Sequence, residues 1–520
     1  MSGHLHIIGG GIAGLASAAF AIRDARMAGG QITIYDANAV PGGSLDAGGD
    51  VTRGYVMRGE RMLSPHFVCL YDLLSGIPSF DNPHISARDD IFAFTRACGW
   101  ESKARLVRAD GSKVDTGRLG LSFADRAALL RLMLRSEASI GAKTIRDVFP
   151  PHFFTTNFWL MWCTMFAFEP WHSALEMRRY LRRFLHLFPH LASMRTVHRT
   201  RYNQHHSIVV PLLRWLEAEG VRFERGCRVT DIEITGMRRA TALHVGRDGM
   251  EERIALGEHA CAIFCNGSMT AGSSLGACTH AAPALCGADD GSWALWKRIA
   301  AGRPEFGRPD VFCGDPRASR WVSFTATTRT PRFRQLLEAF TAAPLGREGL
   351  ITFVDSNWLL TIKANPSPHF PGQPGDTVVW WGYGLNMERP GNFVAKTMPE
   401  SSGSEMLRET FGHLRLAADT DQLMAESRAI PCLMPLITSQ FMPRAPGDRP
   451  PVRPSHLENL AFVGQFVELP DDTVFTVEYS VRTAMEAVKA LLKPDLAVPP
   501  IYKGWRNPAV WLRAAREAMR

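Results

Sequence analysis

No apolar stretch of this chain reaches the roughly 18 uncharged residues that a membrane-crossing helix requires, so no such helix is expected. No CxxC pair occurs among the ten scattered cysteines, and the nearest two, Cys261 and Cys265, fall in or beside an expected strand. A disulfide scaffold and a zinc site are therefore not expected, no metal is called for, and a reducing cytoplasm fits best. Internal repeats and low-complexity tracts are missing, which argues against a solenoid or a disordered array. No nucleic-acid motif accompanies the positive charge, so a polynucleotide partner is not expected. A strand begins almost at Leu5, leaving no room for a cleavable leader.

What remains is ordinary globular material. The chain is 46% hydrophobic and 21% charged, and 520 residues suffice for about two to four subdomains. The net charge of +8 suits an anionic substrate or an anionic membrane surface.

The most informative stretch is Gly9-Gly10-Gly11-Ile12-Ala13-Gly14, which follows the apolar Leu5-His6-Ile7-Ile8 and leads into an alanine-rich helical run. Gly9, Gly11 and Gly14 have the spacing of a dinucleotide-binding turn. The first permits the sharp turn, the second admits a pyrophosphate, and the third lets helix lie on strand. The helix that opens through Ala13 points free N–H groups at the phosphates. A second strand, Gln31 to Tyr35, ends in Asp36, about 20 residues beyond the turn, where a ribose-binding acid belongs. Gly42-Gly43-Ser44 then lets backbone pass a second phosphate region, and Cys227-Arg228-Val229 follows a helix-to-strand step of the kind that contacts adenine. With Leu460 to Gly464 as a late strand and glycine, these pieces favour FAD over NAD.

The expected fold is α/β. An FAD-binding Rossmann-type domain is built from discontinuous segments 1–90, 190–300 and 430–490. A mainly helical substrate or lid region spans 91–189, with helices at Asp125 to Ser136 and Ser173 to Phe188. A β-rich substrate domain spans 301–429, with strands near Leu350 to Val354 and Thr377 to Trp381. Residues 491–520 form a C-terminal amphipathic segment, in which Asn507-Pro508 starts a helix. That helix carries Trp511, Leu512, Ala515 and Met519 on one side and Arg513, Arg516 and Arg520 on another. Such a helix suits a membrane interface, or equally packs on the body of the protein.

Several longer strings resemble the oleate hydratase family, formerly called myosin-cross-reactive antigens. They include Gly54-Tyr55-Val56-Met57-Arg58-Gly59, Trp171-His172-Ser173-Ala174 with Arg178-Arg179-Tyr180, and Arg199-Thr200-Arg201-Tyr202-Asn203-Gln204. Asp355-Ser356-Asn357-Trp358, Thr438-Ser439-Gln440-Phe441-Met442-Pro443-Arg444 and Phe475-Thr476-Val477-Glu478-Tyr479 continue the resemblance across nearly the whole chain. It implies an FAD-dependent hydratase that adds water across a cis double bond of free unsaturated fatty acids of the oleic or linoleic type. No net redox change occurs in that reaction.

Adding water to an isolated alkene needs an acid for one carbon and a base that activates water for the other. The resemblance places the proton donor at Tyr180. Around it, Ser173 and Glu176 have capping-box spacing, and one of Arg178, Arg179, Arg182 or Arg183 is expected to lower the Tyr180 pKa. The family's Arg-Gly-Gly-Arg-Glu-Met segment reads Arg58-Gly59-Glu60-Arg61-Met62-Leu63 here, so Met62 stands at the position of the family's glutamate. Glu60, displaced by only about 7 Å of extended chain, is the candidate base; the competing reading pairs it with Arg58 or Arg61. The family pattern assigns the substrate carboxylate to Gln204, Thr438, Gln440 and Arg444. Pro470-Asp471-Asp472-Thr473 is expected to open a helix, with Asp472 and Thr473 beside the flavin. Two other readings stay open: an FAD-dependent redox enzyme of the amine-oxidase, desaturase or isomerase kind, and a non-catalytic lipid-binding flavoprotein. The expected location is cytoplasmic, with a peripheral position at the inner membrane as the open alternative. The expected state is monomer or homodimer, the lack of an N-terminal arm favouring the monomer.

Overall fold

The computed structural model describes residues 3–236, 238–284 and 291–520. A parallel five-stranded sheet runs in the order Leu460–Val463, Cys261–Cys265, Leu5–Ile8, Ile32–Asp36, Arg222–Arg225. The first strand of the chain is central, pairing Leu5 with Ile32 on one side and with Cys261 on the other. All four of its residues are buried, as a parallel strand covered on both faces requires. Helix Ile12–Arg23 leaves the end of this strand and packs on helix Val477–Leu491. Its alanines at 13, 16, 18, 19 and 21 are buried, and such small side chains allow close packing.

A second sheet of seven strands is mainly antiparallel, with Trp321–Thr328 between Ser427–Met434 and Val378–Gly384. The residues of all three strands are largely buried. The hairpin ribbon Ala47–Asp50 and Gly54–Met57 lies against it. Two threonine hydroxyls fix the contact: Tyr55 N donates to Thr327 Oγ1 at 2.9 Å and Met57 N to Thr325 Oγ1 at 3.0 Å. The loop that begins at Arg58 is thereby anchored at its entry. This sheet also takes strands from Leu106–Val107 and Ser274–Leu275, so it reaches beyond the 301–429 span.

The helix through the candidate tyrosine is Ala174–Arg183, shorter than the Ser173 to Phe188 pattern. Tighter turns follow over Leu185–His190, where Pro189 has no N–H to continue an α-helix. The capping box at its start is half made. Ser173 Oγ accepts from Glu176 N at 3.4 Å, but the Glu176 carboxylate does not return to the Ser173 backbone. It is drawn instead to Arg444 Nε at 2.9 Å and Arg449 Nη1 at 3.0 Å, two stronger partners.

Pro470–Thr473 does not open a helix either. The helix begins at Val477, capped by the Thr476 hydroxyl, which accepts from Tyr479 N. The C-terminal helix Pro508–Met519 starts as expected, with Asn507 Oδ1 accepting from Ala509 N at 2.9 Å. Val510 and Ala514 are its buried face, while Leu512 and Met519 stay exposed.

Glu176 titrates near 2: burial alone would raise its carboxyl, but Arg449, Arg444 and Arg179 outweigh that effect. A depressed native pKa contributes stability that is present above the unfolded value and lost as pH falls toward about 2. Glu176→Gln strands two buried guanidinium groups and is expected to cost about 3–5 kcal/mol at neutral pH. Urea unfolding checks this, and the gap between variant and wild type should narrow as the pH falls below the ordinary carboxylate range.

Candidate functional site

At the carboxyl end of the parallel sheet lies a cleft of about 1120 Å³, bordered by Gly9, Gly11, Ala13, Asp36, Gly43, Ser44, Val229 and Gly464. Its floor is close-packed backbone. A Cβ on Gly14 would stand 2.0 Å from Gly9 O, and one on Gly43 would stand 3.2 Å from Gly11 Cα. Gly43 also holds φ +57, in the left-handed region. Gly42 does not border the cleft; its N–H donates to Gly10 O at 3.0 Å and ties the second glycine pair to the first. Asp36 ends the second strand at the cleft, its Oδ2 accepting from Gly10 N at 3.0 Å and its Oδ1 from Asn38 N at 2.8 Å. Burial raises its pKa. The amino ends of helices Ile12–Arg23 and Val477–Leu491 both border this cleft, presenting N–H groups to an anion. The arrangement fits an extended adenine dinucleotide. Sequence reasoning missed Gln465, Thr476 and Ser480 as lining residues, although Thr476 lies in a string already singled out and has the residue type of a helix cap.

Asp472 and Thr473 do not reach this lining. Asp472 is fully buried and paired with Arg183 at 3.4 Å and Arg482 at 3.2 Å, so ion pairing within the protein occupies it.

Arg61 borders the dinucleotide cleft and two further cavities, and so marks where the three meet. Its Nη1 donates to Ser44 O at 3.0 Å, and burial lowers its pKa to about 10, leaving it cationic at neutral pH. One adjoining cavity is mainly apolar. Its walls carry Glu60, Met62, Phe166, Tyr180, Phe184 and Phe475.

Tyr180 is 1% exposed, ringed by Phe166, Phe168, Phe184 and Phe441 at centroid distances of 5.0, 4.9, 5.4 and 5.6 Å. Its hydroxyl donates to Val474 O at 2.6 Å. Burial, with Glu176 and Asp472 adding to it, pushes the phenol far above its ordinary value. The expected arginine effect is therefore reversed. Arg179 is paired with Glu137 and Glu468, Arg178 with Glu137, and Arg183 with Asp472, while Arg182 donates to Met133 O. Their charge is spent on other partners.

Glu60 pairs with neither Arg58 nor Arg61. Arg58 is bound to Asp46 at 2.7 Å, and Glu60 Oε2 accepts from Lys363 Nζ. Burial would raise the Glu60 carboxyl, but Lys363, His369 and Arg199 prevail and hold it below its ordinary value. Tyr180 and Glu60 thus face one apolar cavity in different protonation states, the phenol neutral and the carboxylate charged. Sequence reasoning did not find Lys363, because 303 residues separate it from Glu60.

The four residues assigned to a substrate carboxylate are held by other partners, and none borders the cavities around Arg61. Gln204 Nε2 donates to Arg61 O at 2.6 Å and braces that loop. Thr438 Oγ1 donates to Ser319 O at 2.9 Å, and Gln440 Nε2 to Ile437 O at 3.1 Å. Arg444 is divided between Glu176 and Glu468. The buried Oε1 atoms of Gln204 and Gln440 and the Nη2 of Arg444 have no hydrogen-bond partner among the described residues.

Residues 3–489 match the MCRA family. The chain belongs to that family. It is 38% identical over 507 residues to an oleate hydratase of Streptococcus pyogenes serotype M49 (strain NZ131), covering 95% of this chain and 86% of that protein. It is 32% identical over 565 residues to a linoleate hydratase of Lactiplantibacillus plantarum, covering 98% and 97%. Among solved structures, cyclohexylamine oxidase from Brevibacterium oxydans superposes with a TM-score of 0.53 at 12% identity, covering 95% of this chain and 99% of that one. An oxidoreductase from Methanosarcina mazei gives 0.52 at 13% identity, covering 93% and 100%. These likenesses show a shared fold and no more.

Gly14→Val places a branched side chain against Gly9 O and is expected to lower dinucleotide affinity at least tenfold. Titration of the protein with FAD, followed by flavin fluorescence, checks it.

Proposed function

We propose that this protein is an FAD-dependent fatty acid hydratase, adding water across a cis double bond of free oleic- or linoleic-type acids. The observation that carries the reading is one apolar cavity, adjoining the dinucleotide cleft at Arg61, that holds a protonated Tyr180 and an ionised Glu60. The hydratase names of two relatives, each matched over most of its length, support it.

In the proposed reaction the Tyr180 phenol delivers its proton to one alkene carbon, and water adds to the other while Glu60 takes the water's proton. The low dielectric that keeps the phenol neutral also keeps stray water from the developing cation. The proton held by Glu60 returns to the Tyr180 phenolate and closes the cycle. FAD, when bound, would order the site and supply electrostatic stabilisation, with no net redox change. Gly9 to Gly14, Asp36, Gly43, Ser44, Val229 and Gly464 are the residues proposed to hold it. Of the carboxylate set, Arg444 keeps an unpaired donor in its Nη2, whereas the free Oε1 atoms of Gln204 and Gln440 can only accept.

We also infer that an anionic membrane surface delivers the substrate. The exposed Leu512 of the terminal helix shares a groove with the exposed Leu130 and Leu134 of helix Phe123–Leu134, Met519 is exposed farther along the same helix, and Arg126 donates to Ala518 O at 3.4 Å where the two helices meet. Arg131, Arg135, Arg513 and Arg516 are exposed around them, a pattern that suits apolar insertion beneath acidic headgroups. Among the described residues, no helix is long and apolar enough to cross a membrane.

Purified protein loaded with FAD, given oleic acid without oxygen, is expected to yield a product heavier by one water. Loss of two hydrogens would indicate redox chemistry instead, and an unchanged acid would indicate binding alone. Tyr180→Phe is expected to lower turnover by at least a hundredfold while FAD affinity stays within threefold. For the membrane, Leu512→Glu with Met519→Glu should abolish sedimentation with phosphatidylglycerol vesicles and leave turnover of micellar oleate intact. Retained sedimentation would remove this face from the proposal.

A further inference from the structure

Around Glu60 the protein buries a set of charges that the reaction above does not use. Lys363 stands on strand Thr361–Ala364 and is 5% exposed. Its ammonium donates to Glu60 Oε2 and, at 2.9 Å, to Asn365 Oδ1. The Trp100 ring centroid lies 5.3 Å from Nζ, and the Arg199 guanidinium covers the same ring at 4.1 Å. Glu348 is a second carboxyl in this set. Its Oε1 accepts from Ala364 N at 3.2 Å, its Oε2 has no partner, and burial pushes it up to about 7. His369, whose ring nitrogens have no hydrogen-bond partner, reaches within 3.9 Å of Glu60 Oε1.

We propose that Lys363 is a positioning residue for water activation, gripping one oxygen of Glu60 so that the other is left to face the cavity. The inference rests on the reading of Glu60 as the base. A buried lysine is costly, and an apolar side chain of similar length commonly serves stability as well or better. This one bonds a loop residue that borders both inner cavities. Glu60 Oε1 makes no hydrogen bond among the described residues, and the side chain is 15% exposed. The displaced glutamate thus gains a fixed orientation from a partner outside its own loop.

The groups facing Glu60 assign the charges. Lys363 lies against Oε2 and His369 against Oε1, and Arg199 acts from beyond hydrogen-bond distance. His369 is lowered to about 4, chiefly by burial, and so is neutral at physiological pH; Arg347 and His206 reach the set only through Arg199 and His369. Lys363, whose own pKa burial lowers and the Glu60 carboxylate raises, is therefore the chief cation facing Glu60. Glu348, pushed up to about 7 by burial, is only partly ionised near neutrality, and its hydrogen bond is with Ala364 N and not with the ammonium. When water adds, its oxygen forms the new C–O bond and its proton goes to Glu60 Oε1, while the alkene π pair takes the Tyr180 proton in a C–H bond. Lys363 keeps all its protons throughout.

The test is the pH dependence of kcat/KM for oleic acid in the FAD-loaded enzyme. Wild type is expected to keep activity below the ordinary carboxylate range. Lys363→Met should move the acid limb upward by at least one pH unit and lower kcat at least tenfold, with KM and FAD affinity within threefold; Lys363→Arg should restore part of both. A folded Lys363→Met enzyme with the wild-type acid limb and kcat overturns the proposal. Should Lys363→Met fail to fold, the infrared difference between wild type and Glu60→Gln reports the Glu60 carboxylate directly. Its titration at or above the ordinary glutamate value would also overturn it. If wild type does not hydrate oleic acid at all, the hydratase reading falls together with this one; if it does and only the Lys363 results fail, the hydratase reading stands.

Discussion

Exclusion of water around Tyr180 is the constraint on which the other features of the site depend. The phenol lies among four phenylalanine rings and a carbonyl acceptor. In that setting the neutral form is strongly favoured, so the proton is available at neutral pH. The same setting forbids leaving the phenolate behind for long. A proton acceptor on the cavity must therefore work with the phenol and hand its proton back, and a charged acceptor in a dry cavity needs a cation behind it. The Lys363 and Glu60 contact answers that requirement.

The arginine-rich helix shows a different use of the same electrostatics. Its charges form an ion-pair lattice with Glu137, Glu176, Glu468 and Asp472, and Arg444 and Arg449 join from the far side. Such a lattice is poor at adding net stability but severe on any single loss. It fixes the Tyr180 helix against the segment that carries Val474, whose carbonyl receives the phenol.

Much of the parallel sheet was legible because its signals are local. Gly9, Gly11, Gly14 and Asp36 lie within one strand, turn, helix and strand, and each glycine has a steric reason that spacing alone reveals. The cap at Asn507 was legible for the same reason. Glu176 shows where local reading stops: its spacing from Ser173 called for a reciprocal cap, yet two arginines more than 260 residues away outbid the backbone. Asp472 and Thr473 were misplaced for a related reason, since their turn feeds ion pairs while the helix start falls at Thr476. Lys363 carries no local signal at all; only the fold brings it to Glu60. The resemblance supplied Tyr180, which residue patterns by themselves would have assigned to the core.

The central claim is that a dinucleotide fold shared with oxidases carries out proton chemistry without electron transfer. Turnover of oleic acid in D2O under strictly anaerobic conditions, with the flavin spectrum recorded alongside product mass, tests it most directly. The expected product carries one carbon-bound deuterium beside its new hydroxyl, with an oxidised or reduced flavin spectrum that turnover leaves unchanged. Product formed without a carbon-bound deuterium, in step with bleaching of the flavin, would contradict it.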